Sequence, residues 1–162
     1  MQLDSLQRLR SLVVVCLFGV ALNACGSGSG TSPTSSSPVP VISNFASTYL
    51  GTACTRVADG LTGSLYSLTF DYTDADGNVS GGHVQIMRAF NTGKLETFLD
   101  TVPSAVAPVV TITGTTSGQI RMTDCPVFAT ATSYTRTITL FDASNNQSNA
   151  LSSTVNKPAG AP

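Results

Sequence analysis

Leu68, Phe70 and Tyr72 stand at every second position with Thr69 and Asp71 between them, and this period of two recurs along much of the chain. Successive side chains of an extended strand point to opposite faces, so a strand with one face in a core and one in water writes this alternation, whereas a helix repeats its apolar residues every three or four. Val84, Ile86 and Phe90 repeat the pattern, Ile120 and Met122 form another pair, and Tyr134, Ile138 and Leu140 alternate with Thr135, Thr137, Thr139 and Phe141. A last strand is expected through Leu151 and Val155. Turn-forming residues punctuate these runs at Ala58-Asp59-Gly60, Asp76-Gly77-Asn78, Asn91-Thr92-Gly93, Pro103, residues 114–118 and Asn145-Asn146. About seven strands fit between such turns, the pattern of an all-β antiparallel sandwich. No convincing helix is expected: residues 93–100 come nearest, with one turn, and Thr97 and the neighbouring strand rhythm oppose it.

The N-terminal end follows different rules. Arg8 and Arg10 form a basic start, and residues 12–22 are an apolar run without a charge. A permanent membrane helix needs about 20 apolar residues, and this run has roughly half of that, the length of a signal-peptide core. The run ends in Leu22-Asn23-Ala24-Cys25, which resembles the bacterial lipobox, although Asn23 is a less usual residue at its position. The resemblance implies cleavage after residue 24, with Cys25 as an acylated mature N-terminus. Gly26 follows, with no Asp, which is similar to the sorting pattern of outer-membrane lipoproteins. Each buried methylene contributes about 0.8 kcal/mol, so two or three acyl chains hold a protein on a bilayer without a transmembrane helix.

Residues 25–38 continue as Gly-Ser-Gly-Ser-Gly and then Thr, Ser and Pro, a composition that builds no core and reads as a tether. Residues 157–162 read as a disordered Pro/Gly/Ala tail with nothing to pack. Residues 39–156 are left as the folded unit. Cys16 would leave with the signal and Cys25 would carry lipid, so Cys54 and Cys125 remain as a pair. In an oxidising compartment such a pair is expected to form a disulfide, closing a loop of about 70 residues and stabilising the fold by roughly 4 kcal/mol.

Two local patterns specify the sandwich further. Ser133-Tyr134-Thr135 followed by Ile138, Leu140, Asp142 and Asn145-Asn146 resembles the penultimate strand and turn of fibronectin type III and immunoglobulin-like domains. That resemblance implies a tyrosine hydroxyl capping a backbone corner. Residues 68–78 with Val84 and Ile86 resemble the second and third strands of bacterial surface immunoglobulin-like modules. The chain departs from antibody domains in having no core Trp and in the placing of its cysteines.

The chemistry on offer is sparse. With 8 Lys and Arg against 9 Asp and Glu, the net charge of −1 gives no footprint for nucleic acid. The densest polar cluster is Asp71, Asp74, Asp76 and Asn78 beside Gly77, a set of oxygen donors suited to calcium. It is not an EF-hand: with Asp74, Asp76 and Gly77 as third, fifth and sixth positions, Tyr72 falls first and His83 twelfth. A solvated hairpin turn is the plainer expectation, with no cofactor. His83 is the single histidine; it follows Gly81-Gly82 out of phase with Val84, pointing to solvent, and Ser80 lacks a nucleophile-elbow pattern around it. Glu96, Asp100 and Asp124 read as surface charge rather than an acid/base pair. Arg56, Arg88, Arg121 and Arg136 would make a polyanion site only if they shared a face, and Arg88 and Arg136 stand on the apolar parity of their strands, where pairing with Asp is the structural reading. Together these features point to no enzyme. They suggest an outer-membrane lipoprotein acting as a binding or structural module toward another envelope or extracellular protein, the alternative being a calcium-dependent adhesion or matrix domain.

Overall fold

The computed structural model describes residues 38–105 and 108–162. The signal segment, Cys25 and nearly all of the tether lie outside the described residues. Eight strands follow one another: β1 (Val41–Thr55), β2 (Thr62–Thr73), β3 (His83–Phe90), β4 (Leu95–Thr101), β5 (Val110–Ile112), β6 (Ser117–Asp124), β7 (Ser133–Phe141) and β8 (Gln147–Asn156). They form two four-stranded antiparallel sheets, ordered β1-β2-β6-β5 and β4-β3-β7-β8. That is the strand order of an immunoglobulin-like sandwich, with β4 added at the edge of the second sheet. The expected fold class stands, with one strand more than the alternation suggested.

The period-two residues do what their spacing requires. Leu68, Phe70 and Tyr72 from β2, Ile120 and Met122 from β6, Val84 and Ile86 from β3, and Ile138 and Leu140 from β7 are all buried between the sheets. Phe90, Phe128 and Tyr134 close the core at one end, their ring centroids 5.2–6.5 Å apart. Tyr134 does not cap a corner as the resemblance implied: it sits in this aromatic cluster, and its hydroxyl accepts a hydrogen bond from Arg136 Nη2.

Three strands depart from the simple pattern. β1 is interrupted by register shifts between Ser43 and Ala46 and between Tyr49 and Ala53, which break the alternation along it. β4 occupies the segment in which a helical turn was conceivable, and the residues it turns inward are Glu96, Phe98 and Asp100, two of them charged. β5 is only three residues long. The tail also differs from expectation, because residues 157–162 are tied down: Lys157 N–H donates to the Thr132 carbonyl at 2.7 Å, Ala161 N–H donates to that of Pro158 at 3.1 Å, and Ala161 is buried.

The register defines two ends. At one, Thr73 pairs with Val41 and Ser117, and His83 pairs with Thr101 and Phe141, so the β2–β3 and β7–β8 loops meet where β1 begins. At the other, Thr55 pairs with Thr62 and Tyr66 with Asp124.

Candidate functional site

Asp74, Asp76 and Asp142 converge at the first end, each offering a carboxylate oxygen, with all these oxygens within 4.8 Å of one another. Asp74 follows the last residue of β2, where its N–H donates to the Thr116 carbonyl at 2.7 Å. Asp142 follows the last residue of β7, one position beyond the strand that supplies Ile138 and Leu140 to the core. Gly82 permits the approach, since a Cβ there would lie 2.0 Å from the Phe141 carbonyl oxygen and 2.8 Å from the carbonyl carbon of Asp142. The loops are also joined directly. Ala143 N–H donates to the Asn78 carbonyl, and Asn78 Nδ2 donates to Ser144 Oγ, both at 3.0 Å.

The acidic groups here have hydrogen-bond partners, and no salt bridge reaches Asp74 or Asp142 among the described residues. Asp74 Oδ2 accepts from Asn78 N–H at 3.0 Å, and Asp76 Oδ2 from Asn78 Nδ2 at 3.0 Å. Asp142 accepts from Asn146 N–H at 2.8 Å and from Asn146 Nδ2 at 2.7 Å. Asp74, only 2% exposed, keeps its Oδ1 buried without a hydrogen-bond partner, and so does the Oδ1 of Asn78. Burial, and then the proximity of Asp76 and Asp142, push the Asp74 carboxyl above the usual carboxylate range. Asp71, grouped with this cluster by sequence, is elsewhere. It faces outward from β2, where Asn44 Nδ2 at 2.8 Å and Gln119 Nε2 at 3.2 Å donate to it and lower its pKa. His83, expected in solvent, is half-buried with its ring stacked on Phe141 at 4.5 Å between centroids.

The opposite end holds charges of both signs. Arg88 on β3 and Arg136 on β7 are cross-strand partners pointing into the sandwich, and Asp124 on β6 of the facing sheet stands between them. Asp124 Oδ1 takes a hydrogen bond from Arg88, and its Oδ2 lies 2.6 Å from Arg136 Nη2. Arg88 continues to Glu96 at 2.8 Å, Glu96 to Arg56 and Lys94 at 2.7 Å each, and Arg56 to Asp59. Arg88 also stacks on Phe98, 4.3 Å from the ring centroid, and Arg136 lies 5.2 Å from both Tyr66 and Tyr134. Burial raises the Glu96 pKa, but hydrogen bonds from Lys94, Arg56 and Arg88 outweigh it and hold the carboxyl below its ordinary value. Glu96 and Asp124 are thus not the surface charges expected from sequence. Three of the four candidate arginines share this network, already spent on carboxylates, while Arg121 is exposed and bonds to Gln119 at 2.7 Å.

Cys54 and Cys125 form a disulfide at this same end, with Cα atoms 6.1 Å apart. Cys54 lies on β1 and Cys125 directly follows β6, and these strands flank β2 in one sheet, so the bond crosses the start of β2 rather than bridging the two sheets as in antibody domains. Gly63, paired with Cys54, leaves room for it: a Cβ there would lie 3.1 Å from Cys125 Sγ and 2.5 Å from the Pro126 carbonyl oxygen. A cavity of about 350 Å³ opens alongside, walled by the disulfide, Arg56, Phe98 and Asp100. Burial, then the negative charge of Asp124, lifts the Asp100 pKa to about 6.

Sequence reasoning missed Asp142 and the network. Asp124 continues the parity of Ile120 and Met122 into the core, which was the available signal. No family model, curated protein or solved structure matches this chain.

Proposed function

We propose that this protein is an exported lipoprotein, acylated at Cys25, whose sandwich serves on the envelope, at the outer membrane, as a non-catalytic binding or structural module for another envelope or extracellular protein. The Cys54–Cys125 bond supports export, because such bonds persist where thiols are oxidised. The observation that carries the binding role is the edge strand β4. It turns Leu95 and Leu99 outward at 72% and 60% exposure, and Met87 of β3 beside them is 45% exposed. An unpaired strand edge flanked by apolar side chains is a surface that proteins use to recruit another strand or an apolar partner.

The anchor is tested by growing cells with labelled palmitate and comparing the wild type with Cys25→Ala. Label in the membrane fraction that disappears in the variant is expected, and an unlabelled wild-type protein in the soluble fraction would sink the reading. Protease added to intact cells then separates the two faces of the membrane: cleavage of residues 39–156 places the partner outside, and protection until lysis places it in the periplasm.

A further inference from the structure

We infer that Asp74, Asp76, Asn78 and Asp142 form a calcium site that clasps the β2–β3 loop to the β7–β8 loop. The spacing fits one ion. Calcium binds oxygen at about 2.3–2.6 Å, so two of its ligands lie at most about 5 Å apart, and the three carboxylates meet that limit within 4.8 Å. A group of acidic side chains alone would be ordinary surface chemistry. What separates this one is that Asp74 is 2% exposed and its Oδ1 has no hydrogen-bond partner, although it is an anionic group taken out of water. The second orphan is neutral. Asn78 turns its Nδ2 to Asp76 and Ser144, which leaves a buried amide oxygen with nothing to accept.

Charge balance makes the same case. No salt bridge joins Asp74 or Asp142 to a Lys, Arg or His among the described residues, and the charges acting on Asp74 are those of its two acidic neighbours. An uncompensated buried carboxylate is expensive, and a divalent cation resolves it for Asp74 and Asp142 at once. Calcium takes six to eight oxygens. The three carboxylates and the Asn78 amide oxygen supply four or more, and water completes the shell. The Asn146 donors leave lone pairs free on both Asp142 oxygens while fixing the orientation of that carboxylate. Three of the ligands come from β2–β3 and one from β7–β8, so the ion would couple segments more than 60 residues apart in sequence.

The test uses the full chain in non-ionic detergent, stripped with a chelator and titrated with calcium chloride, followed by calorimetry and thermal melting. Extracellular modules bind calcium with dissociation constants of about 10⁻⁴–10⁻³ M, so 10 mM calcium should raise the Tm by roughly 5–15 °C. Asp74→Asn and Asp142→Asn should each abolish the rise and the binding heat, while Asp71→Asn should keep both. In the chelator, Asp74→Asn should melt above the wild type, since it removes repulsion that calcium would otherwise quench; a purely structural carboxylate would give the opposite sign. Should Asp74→Asn fail to fold, the exposed Asp76→Ala reads the same loss. Absence of any calcium-dependent heat or Tm change in the wild type overturns the inference, as does a calcium response that survives Asp142→Asn. Neither result touches the anchor reading, which rests on Cys25.

Discussion

The two ends of this sandwich bury ionisable groups in opposite ways. At the disulfide end, Arg136, Arg88 and Arg56 alternate with Asp124, Glu96 and Asp59, so each charge of this network meets an opposite one. At the loop end, Asp74 and Asp142 meet hydrogen-bond donors and other carboxylates, with no salt bridge to either among the described residues. Burial by itself therefore does not mark a functional group. A balanced network consumes its charges in holding the fold, and an unbalanced one has capacity left for a ligand.

The largest way to break this comparison is to unbalance the balanced end. Asp124→Asn keeps the shape but leaves Arg88 and Arg136 facing each other across one register position, and it should lower stability by about 5 kcal/mol, measured by urea unfolding. A loss below about 1 kcal/mol would mean that water already reaches these arginines, and the contrast between the ends would fail. Next in size is the covalent tie. Replacing both Cys54 and Cys125 by Ser should cost roughly 4 kcal/mol through the chain separation of 71 residues, while leaving the calcium response of the far end in place.

The smallest effect concerns Asp100, a carboxylate on the wall of the cavity beside this network that stands apart from the ion pairs, with its pKa raised to about 6. A carboxyl raised on folding binds its proton more tightly folded than unfolded. Its contribution to stability is therefore full below its ordinary value of 3.8 and is lost as pH climbs through about 6. Asp100→Asn should flatten that decline between pH 4 and pH 7 and leave a variant more stable than wild type at neutral pH. Parallel pH profiles for the two proteins would show that Asp100 is hydrated rather than desolvated.

Much of this arrangement was written in the alternation. The apolar residues of β2, β3, β6 and β7 recur at every second position because one face of each strand packs into the core and the other is more open. β1 was hidden by its two register shifts, and β4 by carrying Glu96 and Asp100 where a reader expects apolar residues. The network was half legible: the parity of Arg88 and Arg136 marks them as inward, but which carboxylate faces them depends on how the second sheet lies over the first, and no local pattern encodes that. Asp74, Asp76 and Asn78 were visible as neighbours in sequence. Asp142 was not, because its place beside them is set by the β3–β7 pairing of His83 with Phe141. For the same reason Asp71 misled: three residues from Asp74 in sequence, it points to the outer face of the strand.

The position of the disulfide has a mechanical meaning. β1 begins at the loop end with Val41 and runs the length of the sheet to Thr55, with Cys54 one residue before its far terminus. Tension applied through residue 38 acts along the strand axis, and the hydrogen bonds of an antiparallel pair lie across that axis, so they resist in shear rather than opening one by one. If β1 slid free of β2, its travel would stop at Cys54, which is welded through Cys125 to the end of β6. A pull from that side can strip one strand and draw Ile42 out of the core, but extension halts at a sulfur–sulfur bond, which then passes the load to the end of β6.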